Sequence, residues 1–198
     1  MLDEPTPGVY AARNTGIRHA AGALIAFTDA DCVVDRDWLR SAVDCLRDPG
    51  VAIALGHCSY PAAASVALRF LAAYENAKAE YVIEHCAPAH HFAYANNMAV
   101  RAVLFDELGL FREWKRAADS ELVHRVASAR PDLRTAFCRS MRVTHLEFTR
   151  ARDRTRRLSL YTRTNAKIPT FRELGAAQRL GVLLHVLRPS AARPRRGE

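Results

Sequence analysis

The sequence has no apolar run that approaches the roughly 20 residues needed to cross a bilayer. It has no Cys-x-x-Cys pair either, because its five cysteines lie apart, at positions 32, 45, 58, 86 and 138. The first residues do not show the charged and apolar pattern of a secretory signal peptide. These absences argue against a membrane-spanning or secreted protein. We expect inert thiols in a reduced, cytoplasmic setting.

The charge of the chain is divided unevenly along its length. The net charge is +8 over 198 residues, of which 49% are apolar, enough for one globular domain with a real core. Residues 1–138 carry 14 Lys and Arg against 17 Asp and Glu, whereas residues 139–198 carry 15 against 4. The basic character therefore belongs to the C-terminal third. Charge alone does not choose between nucleic acid, anionic lipid and phosphorylated ligands as its partner.

The stretch Gly22–Cys32 combines a short apolar run with two carboxylates. Ala23 to Phe27 has the length and composition of a strand buried on both faces. Asp29 and Asp31 follow at its carboxyl end, where ligands bind in open α/β sheets. If extended geometry continues through this pair, both side chains point the same way, and a divalent cation would relieve their repulsion. Taken alone, the pattern is equally typical of a solvated turn.

The order of predicted elements favours an α/β fold with a mixed sheet flanked by helices. Helical periodicity and turn residues predict helices over Val9–Ala21, with Gly22 as a left-handed C-cap, and over the segment from Trp38 to Leu46. Further helices are predicted over Ala64–Ile83, Ala102–Leu108 and Ser120–Ala129, and further strands over Val51–Gly56, Thr135–Phe137 and Met141–Thr144.

The run Pro7–Gly22, which contains Ala-Arg-Asn-Thr-Gly, followed by Phe-Thr-Asp-Ala-Asp-Cys, resembles the family 2 glycosyltransferases of GT-A fold. In that family the two aspartates hold a divalent metal, Mn²⁺ or Mg²⁺, that bridges the diphosphate of a nucleotide-sugar donor. The Arg-Asn of the helix lies near the nucleotide. The resemblance thus implies metal ligation by Asp29 and Asp31 and a donor-binding role for Arg13 and Asn14.

A second region of resemblance is Asn96–Arg101, Asn-Asn-Met-Ala-Val-Arg. In the family an Asn-Met-Ala-x-Arg segment, usually preceded by Gly, lines the sugar and acceptor side of the pocket. The resemblance implies substrate binding by Asn96, Asn97 and Arg101, although Ala95 replaces the Gly. The alternative is a strand with an Asn-rich turn that leads into the next helix.

A third region is Arg116–Arg125, where family members show Glu-Asp and the Asp is the proposed general base. Asp119 retains that carboxylate, and Ala118 replaces the Glu. A single carboxylate within hydrogen-bond reach of the acceptor hydroxyl suffices for an inverting transfer. The alternative role of Asp119 is to cap the helix that follows.

The fourth region is His145, which follows the last predicted strand. In several metal-dependent GT-A enzymes a His at this point completes the coordination of the Asp-x-Asp metal. By resemblance His145 joins Asp29 and Asp31 as a metal ligand, and a neutral imidazole suits Mn²⁺ better than Mg²⁺.

Together the resemblance implies a metal-dependent glycosyltransferase that inverts configuration and acts on a saccharide or lipid-linked acceptor of cell-envelope polysaccharide. The sequence lacks the Gln-x-x-Arg-Trp segment of processive members, so we expect a non-processive enzyme. No nucleic-acid partner is expected. Two alternatives stay open: a basic-tailed binding module that contacts phosphates, and a catalytically inactive or fragmentary relative.

The division of the chain completes the expectations. We predict a partial GT-A-like domain over 1–148, a basic amphipathic helical extension over 149–188 with a helix at Leu174–Leu187, and a disordered tail over 189–198. The extension would hold the protein on the inner face of the membrane. Only a dozen residues precede Arg13, so we also expect the domain to be N-terminally truncated, without the strands that open the fold it resembles.

Overall fold

The computed structural model describes residues 2–61 and 64–146. A short 3₁₀ turn, Pro88–His90, follows the longest helix of this part. In chain order the helices and strands are α1 Val9–His19, β1 Leu24–Thr28, β2 Cys32–Val34, α2 Trp38–Cys45, β3 Val51–Ser59, α3 Val66–His85, β4 Asn97–Arg101, α4 Val103–Leu108, α5 Ala118–Ala129 and β5 Arg134–His145.

The five strands form one mixed sheet in the order β1-β4-β3-β5-β2. β3 and β5 are parallel, whereas β4 runs antiparallel to both β1 and β3, and β2 runs antiparallel to β5. The prediction of an α/β fold with a mixed, helix-flanked sheet is confirmed. Because of these directions, the carboxyl ends of β1, β3 and β5 meet the amino ends of β2 and β4 at one edge of the sheet, which we call the carboxyl edge.

The strand that is buried on both faces is β3, not β1. Every residue from Val51 to Gly56 is buried, as expected for the strand at the centre of the sheet. The prediction that Ala23 to Phe27 is such a strand is wrong: β1 lies at the edge of the described sheet, and only Phe27 in it is buried. An apolar run of five residues does not reveal how many neighbours its strand has.

Helices cover both faces of the sheet. On one face α1, α4 and α5 pack against Phe27, Met98 and Val100, and on the other α2 packs against Ala99, Met141 and Val143. The alternation of Met98, Ala99 and Val100 between the two cores is the period-2 pattern of a strand. The helix residues that complete the two cores are Tyr10, Ile17, Leu104, Phe105, Leu122, Val123 and Val126 on the first face, and Trp38, Ala42 and Leu46 on the second.

Several predicted helix boundaries differ from the structure by one or two residues, and those of α1 and α5 bear on the candidate site. α1 ends at His19 because Ala20 is already extended, so Gly22 is not its C-cap, and that prediction is wrong. α5 begins at Ala118, two residues before the prediction, after Ala117 with a φ of 69°. Asp119 therefore lies in the first turn of α5 rather than at its N-cap.

The last two predicted strands are one continuous strand, β5. Its register against β3 shifts between Gly56, which faces Cys138, and His57, which faces Arg142. The intervening residues form a bulge, which explains why the sequence pattern breaks there. β2 was not predicted at all, since its three residues form a strand only by pairing with the end of β5.

Within residues 2–61 and 64–146, no helix is both long and apolar enough to cross a membrane. The predicted extension over 149–188 and the tail over 189–198 lie outside the described residues, as does the helix Leu174–Leu187.

Candidate functional site at the carboxyl edge

Asp29 and Asp31 lie on a tight turn that joins β1 to β2. The N–H of Cys32 donates to the carbonyl oxygen of Asp29 at 3.0 Å, and extended geometry stops at Thr28. Strand alternation therefore does not apply to the pair, and the two carboxylates have different partners.

Asp29 is paired with Arg13 of α1. The Nη2 atom of Arg13 lies 2.6 Å from Oδ1 of Asp29, and the guanidinium stands 5.3 Å from the ring centroid of Tyr10. The Arg13 side chain is largely buried, whereas 37% of the Asp29 side chain is exposed. A charge-assisted hydrogen bond on one side and an aromatic face on the other fix the guanidinium beside the turn.

Asp31 faces the end of β5. Its Oδ2 lies 3.7 Å from Nε2 of His145, and its carbonyl oxygen accepts from the N–H of Leu146 at 2.7 Å. Cys32 stands directly opposite His145 in the β2–β5 register. His145 is buried, and the Tyr60 ring lies 6.3 Å from its ring. The structure thus brings together two residues that are 114 positions apart in the sequence.

Asp31, Cys32 and His145 form a group that fits a divalent cation. One carboxylate oxygen, one thiol sulfur and one imidazole nitrogen all lie within 4.8 Å of one another. Among residues 2–61 and 64–146, this is the one group of three or more such side chains that meets that spacing, and Asp29 is not in it. Burial, with the negative charge of Asp31, raises the pKa of the Cys32 thiol to about 11, and a bound cation would oppose that effect.

Asp119, the predicted general base, lies in the first turn of α5 beneath the loop that precedes β4. Its Oδ2 accepts from the N–H of Ala95 at 3.1 Å, and its Oδ1 accepts from the N–H of Ser120 at 2.9 Å. Burial raises the pKa of Asp119, while these donors and the positive charge of Arg13 act in the opposite direction. The carboxylate is a stronger base than an exposed Asp.

Tyr10 connects Asp119 with Arg13, and the sequence analysis missed it. Its side chain interacts with the Asp119 carboxylate, and its ring contacts the Arg13 guanidinium. Burial and the negative charge of Asp119 raise the pKa of Tyr10, so it stays a neutral donor. One signal was available: Tyr10 precedes Arg13 by three residues, which puts both on one face of a helix. Arg13 therefore stands between Asp29 and the Tyr10–Asp119 pair.

Asn14 does not face the turn. It is buried, its Nδ2 donates to the carbonyl oxygen of Phe111 at 2.9 Å, and its Oδ1 accepts from the N–H of Phe111 at 3.0 Å. The amide thus pairs with one backbone unit in the manner of a neighbouring strand and ties α1 to the loop before α5.

The three predicted substrate-binding residues have different surroundings. Asn97 is fully buried at the start of β4, where its Oδ1 accepts from Nε1 of Trp38 at 2.8 Å and its Nδ2 donates to two carbonyl oxygens. Arg101 lies opposite Leu24, at the far end of β1 from the Asp29 turn, and donates to three carbonyl oxygens there. The structure does not bring Arg101 to the carboxyl edge.

Asn96 is the one of these three residues whose side chain could still bind a ligand. It lies in the turn between Ala95 and β4, at the carboxyl edge, and its Oδ1 is buried with no hydrogen-bond partner among the described residues. A buried amide oxygen without a donor is costly unless a ligand or water supplies one.

Residues 91–95 are bound to α5 through their backbone. Ser120 Oγ pairs with both the N–H and the carbonyl oxygen of Ala93, at 3.1 and 3.3 Å, and Nε2 of His124 lies 2.6 Å from the carbonyl oxygen of His91. With the Ala95–Asp119 bond, these contacts hold the loop along the first turns of α5. They fix Asn96 relative to Asp119.

Comparison with known proteins decides the family. The sequence profile described as "Glycosyl transferase family 2" matches residues 2–108, more than half of the chain. The chain belongs to glycosyltransferase family 2. The matched part of this family 2 chain includes α1, the Asp29–Asp31 turn and β4.

Two known proteins are similar to the family 2 chain, one in sequence and one in fold. It is 36% identical over 72 residues to "Glycosyltransferase AglE" of Haloferax volcanii, a match over 35% of this chain and 24% of AglE. Its fold is similar to that of "Mannosyltransferase PcManGT from Pyrobaculum calidifontis in complex with GDP-Man and Mn2+", with a TM-score of 0.57, 22% identity, and coverage of 91% of this chain and 53% of the other. The predicted GT-A-like fold is confirmed. The matches span about a quarter of AglE and about half of the mannosyltransferase.

The two departures from the family pattern have structural surroundings of their own. Ala118, the first residue of α5, is fully buried in the core, and Ala95 is 1% exposed and donates its N–H to Asp119. Each methyl group fills space inside the protein, and neither substitution removes the Asp119 carboxylate from its position.

Proposed function

We propose that this chain carries the catalytic site of an inverting, non-processive glycosyltransferase that moves a sugar from a nucleotide-sugar donor to a hydroxyl group of an acceptor. The observation that carries the proposal is the 3.7 Å approach of Asp31 to His145 at the carboxyl edge. This pair offers a place for the donor's metal ion that is separate from the Asp119 carboxylate, in a chain that belongs to glycosyltransferase family 2.

In the proposed enzyme Asp31 and His145 hold Mn²⁺ or Mg²⁺. The ion, when bound, neutralises negative charge on the leaving diphosphate. The similarity to a mannosyltransferase in complex with GDP-Man and Mn²⁺ supports this choice and makes GDP-mannose the first donor to test. A carboxylate oxygen and an imidazole nitrogen suit Mn²⁺ better than Mg²⁺, which prefers oxygen ligands.

Arg13 and Asp29 form the donor side of the proposed site. The guanidinium is fixed by Asp29 and by the Tyr10 ring, and it adds a positive charge beside the turn where a diphosphate would lie. Asn14 supports this side indirectly, by holding α1 in place through Phe111.

Asp119 acts as the general base on the acceptor side. As the acceptor oxygen bonds to the anomeric carbon, the bond from that carbon to the diphosphate breaks, and the hydroxyl proton passes to the Asp119 carboxylate. A single displacement of this kind inverts the anomeric configuration. Because burial raises the pKa of Asp119, the proton transfer is more favourable than it would be to an exposed Asp.

The acceptor is proposed to be a saccharide or a lipid-linked saccharide that approaches past Asn96. The buried Oδ1 of Asn96, at the carboxyl edge, would accept a hydrogen bond from an acceptor or sugar hydroxyl. Attachment to the inner face of a membrane through the basic C-terminal third belongs to the same proposal.

The test is an assay of transfer with purified 198-residue protein. GDP-mannose and UDP-glucose would be offered with alkyl glycoside acceptors, with Mn²⁺ or with a chelator, and the anomeric configuration of the product would be read by NMR. We expect metal-dependent transfer with inversion. Calorimetry that detects no binding of any donor in Mn²⁺ would contradict the proposal, as would product of retained configuration.

A further inference from the structure

Cys32 lies beside Asp31 and His145, the two residues proposed to hold the cation. It stands directly opposite His145 in the β2–β5 pairing, and its Sγ lies 3.9 Å from Oδ1 of the neighbouring Asp31. His145 approaches the other oxygen of the same carboxylate, with its Nε2 3.7 Å from Oδ2 of Asp31. One ligand atom from each of the three residues lies within 4.8 Å of the others, so small side-chain movements would bring all three to bonds of about 2.0–2.3 Å with one ion.

Asp29, the other carboxylate of the turn, has a different partner. Its Oδ1 is 2.6 Å from Arg13, and it does not belong to the group of ligand atoms within 4.8 Å. Moving its carboxylate toward that group would disturb a charge-assisted hydrogen bond with a largely buried guanidinium. Removing one partner of such a pair is costly because it leaves the other charge unsatisfied.

We propose that Cys32, rather than Asp29, completes the cation site, so that the ion is held by Asp31, Cys32 and His145. This inference rests on the proposed function for the presence of a metal ion at the turn, and it changes the set of ligands. One oxygen, one sulfur and one nitrogen from the protein leave the remaining positions of the ion open for substrate.

The ligand set predicts which metals the site prefers. Sulfur and imidazole ligands favour Zn²⁺, Co²⁺ and Mn²⁺ over Mg²⁺, which takes oxygen ligands almost exclusively. Ligation also requires the thiolate form, so binding releases one proton from Cys32.

The experiment is a titration of the full 198-residue protein with Co²⁺ under anaerobic conditions. We expect a near-ultraviolet band from thiolate-to-cobalt charge transfer that is lost in Cys32→Ser and kept in Asp29→Asn. Cys86→Ser is the matched control, because it removes another partly buried thiol from the end of α3. A wild-type protein that binds Co²⁺ without this band would overturn the inference, and so would a band that Asp29→Asn abolishes and Cys32→Ser leaves.

A second measurement does not depend on a variant that folds. Wild-type protein would be alkylated with iodoacetamide, with and without Zn²⁺, and the modified cysteines would be identified by mass spectrometry. We expect Zn²⁺ to slow the alkylation of Cys32 by about tenfold or more, because a sulfur atom bound to the ion cannot attack the reagent. Cys86 should react at an unchanged rate, and equal rates at Cys32 with and without Zn²⁺ would overturn the inference.

The two proposals fail in different ways. A thiolate–cobalt band in a protein that transfers no sugar would leave the metal site standing and remove the proposed function. Metal-dependent sugar transfer without such a band would support the proposed function and remove Cys32 from the metal site.

Discussion

Asp29 and Asp31 are one residue apart in the sequence, yet their surroundings differ. Asp29 is paired with a guanidinium that also contacts Tyr10, whereas Asp31 faces a buried imidazole and a thiol. The first surrounding is already satisfied by the protein's own charges, and the second consists of ligand atoms that suit a cation. In the proposed enzyme the turn thus has a donor-orienting arm, Arg13 with Asp29, and a cation arm, Asp31 with His145.

The largest effect is expected at Asp119, to which the donor-orienting arm is linked through Tyr10. Asp119→Asn should lower turnover by about 10²–10⁴-fold, because the amide cannot take the acceptor proton. Steady-state rates with GDP-mannose test this. The matched control is Asp132→Asn, at a mostly exposed carboxylate paired with Arg130, and should be near wild type. A fully active Asp119→Asn enzyme would return that residue to a purely structural role.

The next effect distinguishes the two arms directly. Asp31→Asn should weaken Mn²⁺ binding by about tenfold to a hundredfold, while Asp29→Asn should change it little, because only Asp31 lies among the clustered ligand atoms. Electron paramagnetic resonance of free Mn²⁺ measures both affinities. Equal losses in the two variants would show that the aspartates act together and that the comparison is wrong.

A third prediction concerns pH. Because burial raises the pKa of Asp119, the acidic limb of the rate profile should lie above the ordinary range of an Asp side chain. Tyr10→Phe removes the hydroxyl group whose interaction with Asp119 lowers this pKa, so the limb should move to higher pH. Rate profiles of the two proteins, at saturating donor, measure the shift. A limb that stays in place or moves to lower pH would contradict the role of Tyr10.

The same pKa shift affects stability, with a definite sign. A carboxyl group whose pKa is higher in the folded protein binds protons more readily there than in the unfolded chain. The contribution of Asp119 to stability is therefore greatest below its unfolded pKa and is lost as pH rises through the folded value. Arg13, whose charge lowers the pKa of Asp119, limits that loss.

The smallest predicted effect is on stability alone. Asn14→Ala leaves the buried N–H and carbonyl of Phe111 without their partner and should lower the free energy of unfolding by about 1–3 kcal/mol. Asn96→Ala is the matched control, since its side chain makes no hydrogen bond among the described residues. Urea unfolding followed by fluorescence compares them. An Asn14 variant as stable as wild type, but unable to bind donor, would favour the direct nucleotide contact expected from sequence.

Much of the helical framework was predictable because helices have a local signature. The periodic apolar positions of α2 and α3 depend on neighbours within a few residues. Sheet order does not have such a signature. β1 was predicted as a strand buried on both faces and lies at an edge of the described sheet, and β2 exists only through its pairing with β5.

The candidate site, too, was predictable only in part. The motif order predicted Arg13, Asp29, Asp31, Asp119 and His145, and the structure brings Asp31 to His145 and Arg13 to Asp29. Tyr10 and Cys32 lie near partners more than 100 positions away, Asp119 and His145, and spacing along the chain does not show such contacts. The i, i+3 spacing of Tyr10 and Arg13 was the one local signal. Arg101 was assigned to the substrate by its motif, but the register of β4 against β1 carries it to the opposite end of the strand.

One pair of measurements tests the central claim, that cation and donor binding depend on Asp31 while proton transfer depends on Asp119. Calorimetry with GDP-mannose and Mn²⁺, and turnover under the same conditions, would be carried out on Asp31→Asn and Asp119→Asn. We predict that Asp31→Asn loses metal-dependent donor binding, whereas Asp119→Asn binds donor like the wild type and does not turn it over. Donor binding that survives in Asp31→Asn and in chelator, or that disappears in Asp119→Asn, would contradict the account.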